Sequence, residues 1–392
     1  MNKRARIQSG MTSLHKIVGE FNYYFQGRAE RMKMLFIFSV PSGGVETMNR
    51  LRCQALRQIG IEGHLLYLQD GAGRQNITDI PLYITNRDED LSNLLRTHQY
   101  AAIISTCDHL ILQKLRGLGY TGSIIYEAQG FGTKEQAFST LSNAAYFIRL
   151  YANGAITTQT SHLMELFNAH LHDFPRFYIQ NIVDTNLFRY QPIPGLNPTG
   201  DPILAWVGRI ERNKNWKLFL QIGSELSRFY PKLRLWMFGD VTIFEPEELI
   251  RFEQTVHKLK LGDRILFHPN IPHSSMPFYL STVGSSGGML VSTSVNESFG
   301  YAVSEAISCR CPVLTTDSDG IRSSVIHNVT GKFFSGAVHD AVCHAIELME
   351  NKTLRANIIK QGEEHIRIQY SPSRYLSDFN NILIALQIKP AP

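Results

Sequence analysis

The stretch MLFIFSVPSGGVETMNRLRCQALRQIG, residues 34–60, sets the reading of the whole chain. Met34–Val40 is a continuous apolar run of branched and aromatic side chains, the pattern of a parallel strand covered on both faces. PSGG follows as a turn, and Val45–Ile59 spaces its apolar residues as a helix does, ending at Gly60. Strand, glycine turn and helix make the first half of a βαβ unit. The same grammar continues with HLLYLQ (64–69) and AAIIST (101–106) as strands, Leu82–Thr85 as a short one, and Leu91–Thr97 and Leu110–Leu118 as helices. SIIYEAQG (123–130) and GAITTQT (154–160) read as strands, Lys134–Leu150 and Ser161–Asn168 as helices. Alternation at this spacing predicts a parallel sheet with helices on both faces.

Pro192, Pro194, Gly195, Pro198 and Gly200 then crowd together, the composition of a linker, and the alternation restarts. PILAWVGR (202–209), RLWMFGD (234–240), ILFHPNI (265–271), GMLVSTS (288–294) and PVLTTD (312–317) read as strands. Helices are expected at Trp216–Phe229, Pro246–Leu259, Ser275–Ser281, Ser298–Ser308, Ile321–Ile326, Asp340–Met349 and Leu354–Gln369. The fold class is therefore α/β, with two doubly wound Rossmann-like domains whose strand ends face a central cleft. The expected division is an N-terminal extension at 1–32, disordered or outside the fold, and a first domain at 33–190. A linker at 191–201, a second domain at 202–370 and a C-terminal helix and tail at 371–392 follow, the helix packing back across the linker.

Composition narrows the class of protein. The chain has 392 residues, more than one hydrophobic core usually organises. Its net charge of +5 resides in residues 1–33, where seven Lys/Arg face two Glu, so residues 34–392 sum to zero. Charge thus gives nucleic-acid binding no support. The same N-terminal stretch lacks the apolar core of a secretory signal. Five cysteines without a regular framework point to a reducing, cytoplasmic location. Cys309 and Cys311 form a Cys-x-Cys pair with no second pair nearby, read as free thiols. Arg50, Arg52 and Arg57 on the first helix offer peripheral contact with an anionic inner-membrane surface, with a solvated helix face as the plainer reading.

Gly43 and Gly44 sit where the first strand meets its helix, where backbone amides attract phosphate; an ordinary tight turn is the alternative. Arg209 and Lys214 lie five residues apart beyond PILAWVG, a spacing that suits a diphosphate, against the alternative of solvated loop charge. Glu297 and Glu305 stand out in NESFGYAVSEA. On one continuous helix, eight residues separate the carboxylates by roughly 12 Å and about 80° of azimuth, with Ser294 or Asn296 as the cap. The amides of Ser298, Phe299, Gly300 and Tyr301 open that helix toward sugar or phosphate oxygens. The residues from Phe299 to Ile307 are mostly small or apolar, so a buried Glu305 requires a partner. His109, His268 and His273 read as surface or packing histidines.

VGRIERNKN (207–215) together with NESFGYAVSEAISCRCPVLTTDSDGIRSSVIHNVTGKFF (296–334) resembles the C-terminal half of retaining glycosyltransferases of the GT-B fold, the "glycosyl transferases group 1" family. SGGVETMNR and IVDTNLFRYQP resemble that family's glycine loop and pre-linker segment. The resemblance implies transfer of a hexose-type sugar from a nucleotide diphosphate to an acceptor hydroxyl with retention. Arg209, Lys214 and Glu297 would be catalytic, the cations on the diphosphate and Glu297 on the sugar. Glu305 would meet the ribose, and main-chain groups near Ile271–His273 the base. Much of the family has a histidine after an N-domain strand, where this chain has Glu127-Ala128-Gln129, so Glu127 becomes a donor-side candidate. No Asp-x-Asp motif follows a suitable strand, so no metal is expected to be essential and a UDP- or GDP-sugar is the co-substrate. The acceptor would be a glycan, glycolipid or small molecule, in surface-glycan, glycolipid or spore-coat synthesis. A nucleotide-sugar epimerase, a phosphorylase, or a non-catalytic coat or scaffold protein that binds sugar or nucleotide are the competing readings.

Overall fold

A computed structural model describes Met32–Lys389 except Val241 and Phe244. The expected N-terminal extension lies outside the described residues apart from Met32, which opens the first strand. The chain divides into two compact units: residues up to Ile182 together with the segment from Tyr370, and Val183–Gln369.

The first unit carries seven parallel strands: β1 (Met32–Phe38), β2 (Ile61–Tyr67), β3 (Leu82–Ile84), β4 (Ala102–Thr106), β5 (Ser123–Ala128), β6 (Gly154–Thr157) and β7 (Arg176–Tyr178). Their order is β3-β2-β1-β4-β5-β6-β7. Between them run α1 (Gly43–Arg57), α2 (Asp88–His98), α3 (Leu110–Gly117), α4 (Lys134–Tyr151) and α5 (Ser161–His170). Central position explains the unbroken apolar run of β1, since Met34–Ile37 are fully buried between helices on the two faces. Helix α4 starts at a capping box, in which Thr133 and Gln136 satisfy each other's backbone amides. Strand β7 was not expected. It is three residues long, too short for alternation to register, and is held by pairing with Ala155–Thr157. The C-terminal helix Pro372–Ala385 belongs to this unit and packs against α1. Tyr375 and Phe379 stack on each other with centroids 5.6 Å apart, both buried.

The second unit has six parallel strands in the order β10-β9-β8-β11-β12-β13. They are β8 (Ile203–Val207), β9 (Arg234–Gly239), β10 (Ile265–Pro269), β11 (Met289–Ser292), β12 (Val313–Thr316) and β13 (Lys332–Phe334). Its helices are α6 (Trp216–Phe229), α7 (Pro246–Lys258), α8 (Met276–Ser285), α9 (Tyr301–Ser308), α10 (Val338–Glu350) and α11 (Lys352–Gln369). The unit starts at Val183, ahead of the linker expected at 191–201, because that segment is bonded to the domain it leads into. Gln191 N donates to Ser281 Oγ at 3.0 Å, Ile193 N to Thr282 Oγ1 at 3.3 Å, and Ser308 Oγ to the carbonyl of Phe188.

Two expected helices change. The one placed at Ser298–Ser308 begins only at Tyr301, behind Gly300 at φ +73°. The one placed at Ile321–Ile326 is a single 3-10 turn, Gly320–Ser323. The chain leaves β8 toward β9 and β10, then returns to β11, β12 and β13 on the other side. Loops at the carboxyl ends of β8 and β11 therefore diverge around a crevice, the usual ligand position of such sheets.

Candidate functional site

The loop after β8 carries both sequence-nominated cations, and the structure gives them different company. Lys214 is about one-fifth exposed and its ammonium pairs with Glu297. Arg209 reaches back to Glu211 at 3.2 Å and stays 42% exposed. Arg212 is a solvated charge facing Glu245, Glu247 and Glu248. Lys214 gains its position from its neighbours. Its carbonyl accepts from Thr293 Oγ1 at 2.9 Å, and Thr293 in turn accepts from the indole of buried Trp206 at 3.1 Å. Asn213 Nδ2 donates to the Asn296 carbonyl and Asn296 N donates to Asn213 Oδ1, both at 3.1 Å. Val295 N donates to the Asn213 carbonyl at 2.8 Å. Three hydrogen bonds thus clasp the loop bearing Lys214 to the loop bearing Glu297.

Glu297 lies in that second loop, four residues before α9, so the assumed continuous helix between Glu297 and Glu305 is corrected. Neither Ser294 nor Asn296 caps the helix; Ser294 Oγ instead donates to Glu297 Oε1 at 2.8 Å. The backbone of Glu297 is fixed from the other side by the turn after β12. Glu297 N donates to the Ser318 carbonyl at 3.2 Å and Gly320 N to the Glu297 carbonyl at 3.0 Å. Approach is so close that a Cβ on Gly320 would stand 2.3 Å from the Ser298 carbonyl, so only glycine fits. The carboxylate is held where a ligand hydroxyl could displace or share its partners. Beyond it the backbone from Ser298 to Tyr301 leads into α9, whose start carries no side-chain cap and the positive end of the helix dipole. Phe299 is 4% exposed and its ring meets Tyr301 edge-on at 4.7 Å, anchoring this start.

Glu305, buried at 6% exposure, has the partner its apolar surroundings demanded. His273 Nε2 lies 2.7 Å from Glu305 Oε1, and the imidazole packs on Phe188 with centroids 4.7 Å apart. His273 is thus a packing histidine against Phe188, as read, that in addition partners Glu305. It opens a 3-10 turn, His273–Ser275, two residues after Ile271. His268 does fit the packing reading: it stacks on Phe238 at 4.8 Å beside Trp236 and Tyr279, and burial lowers its pKa. His109 packs against Phe147.

In the first unit Gly43 and Gly44 are exposed at the start of α1, Gly43 at φ +67°. Glu127 is a different matter. Its carboxylate, 1% exposed, takes Arg52 Nη1 at 2.9 Å and Nη2 at 2.6 Å, Thr106 Oγ1 at 2.8 Å and Gln129 Nε2 at 3.1 Å. A carboxylate has about four acceptor positions, and four donors fill them. Glu127, expected as a donor-side candidate, is in this structure a buried acid fully engaged by protein donors. Arg52 and Arg50, 1% and 5% exposed, are equally removed from the membrane-facing role and from the solvated face considered for them. Arg50 pairs with Glu46 at 2.8 Å inside the same helix; of the three, only Arg57 is exposed. Among the described residues no group of three or more His, Cys, Asp or Glu is placed to hold a metal ion. No helix among them is long and apolar enough to cross a membrane.

Two Rossmann-like parallel-sheet units, the second with cations and carboxylates at its switch point, are the fold of the GT-B glycosyltransferases. Residues 191–365 match the family described as Glycosyl transferases group 1, so the likeness read from the motifs holds across the second unit. The chain is 26% identical over 226 residues to a component of the phosphatidylinositol N-acetylglucosaminyltransferase of Arabidopsis thaliana, an alignment covering 57% of this chain and 47% of that protein. It is 28% identical over 130 residues to 2-deoxystreptamine N-acetyl-D-glucosaminyltransferase of Streptomyces fradiae, covering 33% and 29%. The chain therefore spans less than half the length of each of these two curated relatives. Among solved structures, Anabaena Alr3699/HepE in complex with UDP-glucose superposes with a TM-score of 0.77 and 17% identity, covering 90% of this chain and 100% of that one.

Of the expected site residues, the structure brings Lys214 and Glu297 into contact and sets Arg209, Ile271, Glu305 and Ser298–Tyr301 within the same unit. The side-chain contacts of Asn213, Ser294, Thr293 and His273 around these residues were not read from the sequence. Their partners lie between 3 and 87 positions away. Only Ser294, three residues before Glu297, had a local signal, and helix capping absorbed it.

Proposed function

We propose that the protein is a glycosyltransferase that moves a sugar from a nucleotide-diphosphate sugar to an acceptor hydroxyl with retention at the anomeric carbon. The observation that carries this reading is the Lys214–Glu297 pair, clasped across the β8–β11 crevice inside the segment that matches the group 1 family. Arg209 and Lys214 take the donor diphosphate. Glu297 takes the sugar, the Ser298–Tyr301 backbone assists at the helix start, and Glu305 takes the ribose. The base sits against main chain near Ile271. Lys214 has three donors and can hold Glu297 while facing a phosphate oxygen.

As the bond from C1 to the leaving phosphate oxygen breaks, positive charge grows on the sugar ring and negative charge on the phosphate. Preorganised cations are worth most there, because they need no reorientation as the charge develops. The acceptor oxygen bonds to C1 on the face the phosphate leaves, and its proton passes to the leaving phosphate. UDP is a reasonable first donor nucleotide, since the Anabaena relative is described in complex with UDP-glucose. The two named curated relatives transfer N-acetylglucosamine by their names, one of them onto a phosphoinositide, which favours a glycan, glycolipid or small polar acceptor. We place the reaction on the cytoplasmic side, in surface-glycan, glycolipid or spore-coat synthesis.

Calorimetry with UDP, GDP, ADP and their common sugar conjugates tests the donor site on wild type and Glu305→Ala. Saturable binding of one nucleotide, weakened in the variant, is the expected result; no binding by any of them overturns the reading. The anomeric configuration of the first-formed product, read by NMR, tests retention, and an inverted product refutes it.

A further inference from the structure

We propose that His273 is a positioning residue that aims Glu305 at the ribose and makes the base-side turn and the ribose carboxylate a single element. The inference rests on the nucleotide-sugar reading above and deepens it. Glu305 projects from α9 into surroundings where a carboxylate at 6% exposure would turn toward whatever polar group it could reach. His273 supplies one such group at 2.7 Å on Oε1 and is itself only 13% exposed in its side chain. The imidazole cannot swing away, because the ring of Phe188 lies against it at 4.7 Å and Phe188 is 1% exposed. Phe188 is pinned in turn, its carbonyl accepting from Ser308 Oγ, one helical turn beyond Glu305 on the same helix.

The arrangement is a closed ring of contacts: α9 holds Phe188, Phe188 holds His273, and His273 holds Glu305 of α9. One carboxylate oxygen is spent on the histidine, so the other is oriented for a vicinal diol, and a carboxylate retains acceptor positions for both hydroxyls. His273 also begins the turn directly after Ile271 and Pro272, so a shift of that turn on base binding moves the group that aims Glu305.

The test separates orientation from mere packing by editing the ligand as well as the protein. UDP, GDP and ADP, each with its 2′,3′-dideoxy counterpart, are titrated calorimetrically into wild type, Glu305→Ala, His273→Ala and His273→Gln. Wild type should prefer the ribose form of its nucleotide by about tenfold or more, the worth of a charge-assisted hydrogen bond. His273→Ala should lose most of that preference while binding the dideoxy form within about twofold of wild type. Glutamine, whose side-chain NH2 can reach the place of Nε2, should restore part of it. Equal weakening of ribose and dideoxy forms in His273→Ala would assign the residue to packing and overturn the proposal. Loss of ribose preference in Glu305→Ala but not in His273→Ala would overturn it while leaving the Glu305 assignment standing. A wild type that binds without ribose preference refutes the Glu305 assignment itself, and with it this inference. Should His273→Ala fail to fold, His273→Gln decides alone: a preference below a third of wild type overturns the proposal.

Discussion

Replacing Arg52 by methionine should be among the most damaging single changes available in the first unit, although sequence reading put Arg52 on the surface. The guanidinium donates twice to Glu127, with both side chains 1% exposed. Methionine keeps most of the aliphatic volume beside Phe36, whose ring lies 5.2 Å below the guanidinium carbon. The change therefore isolates the charge. Thr106 and Gln129 still donate to Glu127, but no cation remains. Breaking a buried pair from one side costs about 3–5 kcal/mol. At about 1.4 kcal/mol per factor of ten, that is two to three and a half orders of magnitude in an opening equilibrium. Removing Glu127 as well, in Arg52→Met with Glu127→Leu, eliminates the stranded charge. What remains is the cost of leaving Thr106 and Gln129 without that acceptor, about 1–3 kcal/mol. The double variant should therefore be more stable than the single one.

All three tryptophans lie in the second unit, so fluorescence is the wrong probe. Amide hydrogen exchange in mild urea, resolved by peptide, reads Ala102–Thr106 and Ser123–Ala128 directly. Their exchange should accelerate by the stated factor in Arg52→Met and recover in part in the double variant. Acceleration below tenfold, or a double variant worse than the single, would refute the argument that the charge carries the cost.

Three further outcomes follow from the site and its surroundings. Lys214→Met should lower kcat by about 10²–10³, the loss typical of one preorganised charge stabiliser, with folding intact by circular dichroism; turnover near wild type would remove Lys214 from the mechanism. His64, beside Tyr100 at 2.8 Å, has its pKa lowered chiefly by burial, so the unfolded chain takes up its proton first on acidification. Its contribution is fully present above about pH 6.5 and is lost as pH falls toward the lower folded value. The acid-side slope of stability measured by exchange should flatten in His64→Gln, and an unchanged slope would contradict this. Burial raises the thiols of Cys53, Cys107 and Cys311 to about 12, and Cys309 is raised and buried too, whereas Cys343 is exposed. Ellman's reagent at pH 8 should therefore label one thiol quickly in native protein and five after denaturation.

Periodicity in single strands and helices was enough to read most of this molecule. The buried apolar runs of β1, β4 and β8 and the helix of Trp216–Phe229 are local patterns, because a parallel strand covered on both faces must be apolar along its whole length. The cations after β8 and the two glutamates were legible for a similar reason: each stands beside a strand end that its own neighbours define. Tertiary structure decided the rest. Arg52 looks like a helix-surface cation until Glu127, 75 positions on, is brought beneath it. Its burial is settled by a partner that no local window contains. His273 reads as packing until the chain returns 32 residues later with Glu305. Helix α9 starts late because Gly320 of a following loop lies on the backbone of Glu297 and Ser298, holding those residues out of the helix. Sequence reports what a residue prefers among its immediate neighbours; a buried polar group answers to its partner, and the partner is chosen by the fold.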